Sequence, residues 1–248
     1  MKTNKLYISG KHAAYEALMY APQAVKRVYI ARGFQDNNIN KLIERNGLER
    51  LPLSEGESRA DIKGNSSSQG IVVQISLIDM LQPFEKFLDT LAVSPSTSLL
   101  LLGGVQDPHN VGAIIRSAAA FGVSGVLLPQ QNQSPITAAV IKSSAGMAFQ
   151  IPLVTIPSAQ TALAMLKKRG FTAYALAAGK QNIADAAFAS PSVLVLGNEG
   201  VGLDKAVRAL CDETLSIPMH IGAESLNVAA SAAIALHSWS ERHPEALK

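Results

Sequence analysis

The sequence predicts an α/β protein: a C-terminal parallel sheet covered by helices, preceded by a small N-terminal α/β module. Three observations predict it. From Leu99 onward, short aliphatic runs alternate with segments of helical periodicity, which is the pattern of a parallel sheet covered on both faces. The breaker-rich stretch VSPSTS, Val93 to Ser98, separates that region from what precedes it. Charge is divided as well: residues 1–76 carry eleven Lys and Arg against seven Asp and Glu, whereas residues 98–248 carry ten against nine. A basic unit on a near-neutral body suits a polyanion-binding module or a solvated basic surface. The expected division is a first domain over 1–76, a linker over 77–97 and a second domain over 98–248.

Taken in order, Lys11–Tyr20 reads as a helix with Ala14, Leu18 and Ala21 on one face. Val25–Ala31 is a strand, and Asn38–Asn46 a second helix stopped by Gly47. A short strand near Leu51 follows. Asn65, three serines and Gly70 make a flexible polar loop before the strand Ile71–Ile75. Ile78–Ser98 is a connector with some helical periodicity at Leu81, Phe84, Leu88 and Leu91. In the second region, strands are expected at Leu99–Leu102, Gly125–Leu128, Leu153–Ile156, Thr172–Leu176, Val193–Leu196 and Leu215–Ser216. Helices are expected at Val111–Phe121, Ile136–Ser143, Ala159–Arg169 and Asp204–Leu210, with a last one from Leu226. That final helix is free of charge in its first half and should be buried on most sides.

Composition narrows the class. At 48 % hydrophobic and 17 % charged residues, 248 residues build an ample core. Cys211 is the single cysteine, which excludes an intrachain disulfide or a multi-cysteine metal site and favours a reducing compartment. The N-terminal stretch has no apolar secretory core and no run is suited to a membrane span, so a cytoplasmic protein is expected. The five histidines, His12, His109, His220, His237 and His243, are scattered, and no metal is expected.

Three stretches carry chemistry. In QDPHNVGAIIRSAAAFG, Gln106–Gly122, Asn110 is placed to cap a helix whose one full charge is Arg116. Arg116 either snorkels to solvent or faces an anionic ligand such as a phosphate. In VLVLGNEGVGL, Val193–Leu203, a hydrophobic strand runs into three glycines around Asn198 and Glu199. That is a tight turn or a backbone made to approach a ligand. The order G-x-x-G-x-G is not the dinucleotide fingerprint G-x-G-x-x-G, which disfavours a nicotinamide-dependent dehydrogenase. In IPMHIGAESLNVAASAAIALH, Ile217–His237, Ser225 sits where a helix N-cap would sit, with Leu226 and Asn227 at the helix entrance.

Together, in this order, these stretches closely resemble the three motifs of the SpoU/TrmH family of RNA 2′-O-ribose methyltransferases, within the SPOUT superfamily. The resemblance covers the whole second region. The first, ending in SQGIVV, is similar to the L30e-like substrate-binding domain of those members that methylate a guanosine of large-subunit (23S) rRNA. It implies a C-terminal SPOUT domain with a deep trefoil knot, a rare exception to the rule that chains do not thread. It also implies a homodimer that binds S-adenosyl-L-methionine without a metal. Gly197, Ile217 and Leu226 fall where the family contacts that cofactor; Met219 and Ser225 lie in the same loop. Arg116 is expected to contact the target nucleotide, Asn227 to hold the ribose, Asn110 to hold the loop around Arg116, and Glu199 to bind the target or orient Arg116. The rivals are a tRNA 2′-O-methyltransferase of the same family and an RNA-binding relative that has lost catalysis.

Overall fold

The computed structural model describes residues 4–53 and 69–248. The expected polar loop from Asn65 falls largely outside them; only its end, Gln69 and Gly70, is described, as a turn.

Four strands form a first, mixed sheet in the order β1-β4-β2-β3: β1 Lys5–Ser9, β2 Val25–Ile30, β3 Arg50–Pro52 and β4 Ile71–Ser76. Helices α1 (Lys11–Tyr20) and α2 (Asn37–Arg45) pack on it, and Ala14, Leu18, Ile39 and Ile43 seal the layer. Asp36 caps α2 by accepting from the Ile39 N–H at 3.1 Å, and Gly47 takes the left-handed conformation that ends it (φ 63°).

The second sheet has seven strands, ordered β11-β9-β10-β6-β7-β8-β5, with every pairing parallel. They are β5 Leu81–Pro83, β6 Ser98–Gly103, β7 Gly125–Pro129, β8 Leu153–Ile156, β9 Thr172–Asn182, β10 Ser192–Gly197 and β11 Glu213–Ser216. Helix α3, Leu77–Met80, leads into β5, and between the strands run α4 Phe84–Thr90, α5 Pro108–Ala120, α6 Ala138–Ser143, α7 Ala159–Lys168 and α8 Lys205–Leu210. The chain continues from β11 into α9, Val228–Arg242.

The period-two geometry of a strand explains the leucine run. Leu99 and Leu101 join the cluster of α4 and α7 on one face, with Phe87, Leu163 and Leu166. Leu100 and Leu102 join that of α5, α6 and α9 on the other, with Ile114, Val140 and Trp239. Each such leucine contributes about 1.5–3 kcal/mol on leaving water. The second cluster runs on into the first sheet, so Leu18 and Val28 share one continuous core with α5.

Several expectations are corrected. The 77–97 segment is no free linker: β5 pairs with β8, and Phe84, Phe87 and Leu88 are buried under the second sheet. A three-residue strand flanked by short helices presents too little periodicity to be read. Strand β1 was not expected. Helix α5 begins at Pro108 and is capped by Asp107, whose carboxylate accepts from the His109 N–H at 2.8 Å, and not by Asn110. Helix α9 is capped by Asn227, not Ser225. Nor is it buried on most sides: Ala232, Ala235, Leu236 and Trp239 are buried, but Ala230, Ile234 and His237 are exposed.

Candidate functional site

The site is assembled beyond the C-terminal ends of β6 and β10, beside the middle of β9, at the edge where parallel sheets bind ligands. Strand β10 ends at Gly197, which is glycine for a steric reason: a Cβ there would fall on the backbone of Gly202 and Leu203. The chain doubles back so closely that Asn198 and Gly202 exchange backbone hydrogen bonds of 2.9 and 3.0 Å. The Asn198 side chain holds the turn from within. Its Oδ1 accepts from the N–H groups of Gly200 (2.8 Å) and Val201 (3.1 Å), while Nδ2 donates to the Gly104 carbonyl (2.8 Å) beyond β6.

This turn presents Glu199 to the start of α5. Its carboxylate accepts from the backbone N–H of Gln106 (3.3 Å) and Asp107 (3.4 Å) and from Asn110 Nδ2 (3.2 Å). Partial burial opposes ionisation. The hydrogen bonds from its own backbone, Asn110, Gln106 and Asp107 outweigh it and hold the carboxyl below the ordinary glutamate value.

Asn227 adds the third segment. Its Oδ1 caps α9, accepting from Ala229 N–H (2.8 Å) and Ala230 N–H (3.3 Å), so its Nδ2 must face outward, and it donates to Asn110 Oδ1 at 3.0 Å. Both amides are thereby oriented in one relay, Asn227 to Asn110 to Glu199. Residues 89 and 117 positions from Asn110 meet on its one side chain.

A cavity of about 450 Å³ opens beside the relay. Gly197, Ile217, Met219, Ser225 and Leu226 all line it, as does Glu199. Sequence reasoning missed the third wall, Leu176, Ala177 and Ala178 of β9, as well as Ser216 and Ser231. The available signal was the run of small residues where β9 passes the end of its register with β10, at Leu176. Asn110, Asn227 and Arg116 do not line the cavity. Arg116 is exposed on α5 and has no hydrogen-bond or ion-pair partner among the described residues. Among the described residues Glu199 makes no hydrogen bond or ion pair with Arg116; it holds Asn110 and the 106–107 backbone. Among the described residues no group of three His, Cys, Asp or Glu side chains gathers as metal ligands, and no helix is long and apolar enough to cross a membrane.

A parallel sheet with a cavity walled by two folded-back loops at its edge defines a class of ligand-binding α/β protein. The comparisons make the class specific. The profile of the SpoU rRNA Methylase family matches residues 97–237. The 23S rRNA (guanosine-2′-O-)-methyltransferase RlmB of Nitrosomonas europaea is 31% identical over 246 residues, covering 98% of this chain and 94% of that one. An uncharacterized tRNA/rRNA methyltransferase of Mycobacterium avium is 35% identical over 240 residues, covering 95% and 77%. Among solved structures, the SpoU methyltransferase AviRb of Streptomyces viridochromogenes in complex with AdoMet matches with a TM-score of 0.80 at 22% identity, covering 98% of this chain and 92% of that one. An AdoMet-bound rRNA methyltransferase of Sinorhizobium meliloti matches at 0.81 and 22%, covering 97% and 88%. The last two speak to the fold alone. This chain belongs to the SpoU rRNA methylase family.

Proposed function

We propose that this chain is an S-adenosyl-L-methionine-dependent RNA 2′-O-ribose methyltransferase that methylates a guanosine of large-subunit (23S) rRNA in the cytoplasm. The observation that carries the reading is the convergence of three distant segments on one cavity and one relay, in a chain aligned almost end to end with an enzyme of that name. The cavity fits the cofactor. It has the volume of a small-molecule site, side-chain-free backbone at Gly197, Gly200 and Gly202 along one wall, and an apolar wall from Leu176, Ile217 and Leu226.

When bound, the cofactor supplies a methyl group on a sulfonium cation. The chain's own residues position and hold. Arg116 anchors a phosphate of the substrate through its planar fork of N–H donors. Asn227 and Asn110 hold the ribose side of the site, with Glu199 as the fixed acceptor at the end of their relay. Glycines and small residues bring backbone close and exclude water. Residues 1–76 act as the RNA-binding domain and 98–248 as the catalytic one.

Two features of assembly belong to the same reading. The loops Gly197–Gly202 and Ile217–Ser225 form the pocket of a deep trefoil knot, a reading supported by their lining one cavity together. The active form is a homodimer, supported by apolar side chains exposed around the site: Val201, Ile221, Met219, Leu226 and Ile234. The test is methyl transfer from labelled cofactor to unmethylated 23S rRNA and, in parallel, to tRNA, with 2′-O-methyl positions mapped. Label in tRNA alone would move the substrate to the tRNA class, and label in neither would overturn the reading.

A further inference from the structure

A second cavity, of about 440 Å³, lies where the first sheet meets the second region. One wall is the β1–α1 corner, with Ser9, Gly10 and His12; the other is the start of α5 and the length of α6, with His109, Ala138 and Lys142. The two helices are brought together by Gly112, where a Cβ would collide with Ser143, and by Ser143 Oγ donating to the Pro108 carbonyl at 3.3 Å.

Its chemistry is one-sided. Among the described residues no Asp or Glu lines it. Lys142 and His109 are exposed, and neither side chain has a hydrogen-bond or ion-pair partner among the described residues. Lys26, Arg50 and Lys167, by contrast, are each paired with a carboxylate. The nearby carboxylates are engaged elsewhere: Asp107 caps α5, and Glu16 accepts from Gln150 Nε2 at 2.5 Å. His12 Nε2 lies 2.8 Å from the Ala145 carbonyl. In the neutral ring Nε2 therefore carries the hydrogen and Nδ1 is an acceptor. The cavity thus offers a free cation and an oriented acceptor. That pair suits a phosphorylated ligand with hydroxyl or N–H donors.

Its position identifies that ligand. His109 precedes Asn110 of the relay and lies seven residues before Arg116, about 10 Å along α5 at 1.5 Å per residue. We infer that this second cavity seats a ribonucleotide flanking the methyl acceptor in the RNA substrate, with Lys142 on its phosphate and His12 and His109 on its polar edge. The strand then runs from the basic first module through the cavity to Arg116. This rests on the reading that the chain methylates RNA.

The experiment uses the full chain and unmethylated 23S rRNA transcribed in vitro. Lys142→Gln and Ala138→Trp, which fills the cavity, should raise the KM for RNA at least tenfold, with the loss on KM rather than kcat and cofactor affinity retained. Lys142→Arg should restore binding. In Lys142→Gln the slope of log affinity against log salt should fall by about 0.7, the value for one phosphate contact on a single strand. Wild-type KM and salt slope in Lys142→Gln would overturn the inference, and that surface exchange decides the matter if Ala138→Trp does not fold. Should the wild type itself transfer no methyl to RNA, the underlying reading fails first, visibly and without any variant.

Discussion

Arg116, in the second half of α5, and Glu199, held at its start, are opposite solutions to placing a charge against one helix. Arg116 is left without a partner among the described residues, which leaves its guanidinium available to an incoming phosphate. Arg116→Lys keeps the charge and loses the planar fork. It should bind cofactor as the wild type does and lose most methyl transfer, at least tenfold in kcat/KM with rRNA; wild-type turnover would remove Arg116 from the site. Glu199 is instead consumed by the structure. Because its folded value is depressed, the stabilisation it brings is complete above the ordinary glutamate value of 4.5 and is lost as pH falls through the lower folded value. The Tm difference between wild type and Glu199→Gln should therefore be constant from about pH 5 to 8 and shrink in more acidic buffer. A difference that instead grew in acid would contradict this sign.

At the scale of elements, the ends of helices decide the chemistry. Asn227 serves α9 as its cap and Asn110 as its donor, and two substitutions separate those duties. Asn227→Ala should cost about 1 kcal/mol of stability, as cap removal commonly does, together with activity. Asn227→Asp remains a good cap but offers no donor to Asn110; it should melt near the wild type and still lose methyl transfer, as thermal melts beside the labelled assay would show. These ends were the least readable part of the sequence. Strands such as Leu99–Leu102 and Leu153–Ile156 were readable because buried parallel strands are continuous apolar runs. Caps were misplaced at both α5 and α9 because several cap-capable residues stand in a row, Asp107 before Asn110 and Ser225 before Asn227, and only three-dimensional context chooses. The expectation that Gly197, Ile217, Met219, Ser225 and Leu226 share one pocket came from family motifs, and all five line one cavity, whereas the relay joining residues 89 and 117 positions apart has no local pattern at all.

At the scale of the molecule, the second sheet begins earlier than charge and breakers suggest. A shortened chain starting at residue 77 should retain β5 and the Phe84–Leu88 packing, whereas one starting at residue 98 would strip cover from Leu99, Leu127 and Val154. The latter should aggregate or melt well below the former in a thermal scan; equal melting would show that β5 and α4 add nothing. The exposed stripe of α9 makes the assembly testable as well. Ile234→Glu places a charge on the proposed dimer face while leaving the core untouched, and light scattering should report a folded monomer. A dimer unaffected by Ile234→Glu would place the contact elsewhere.

The relay also dictates when this protein becomes competent during its own synthesis. Asn110 and Glu199 are made well before Asn227, which arrives 117 residues after Asn110, a gap of about 6–23 s at 5–20 residues per second. A nascent chain can thus lay down β6, β7 and β8 and still lack the amide that orients its site. On the proposed reading, a chain that stops short of Asn227 should therefore transfer no methyl group, because it lacks the amide that donates to Asn110.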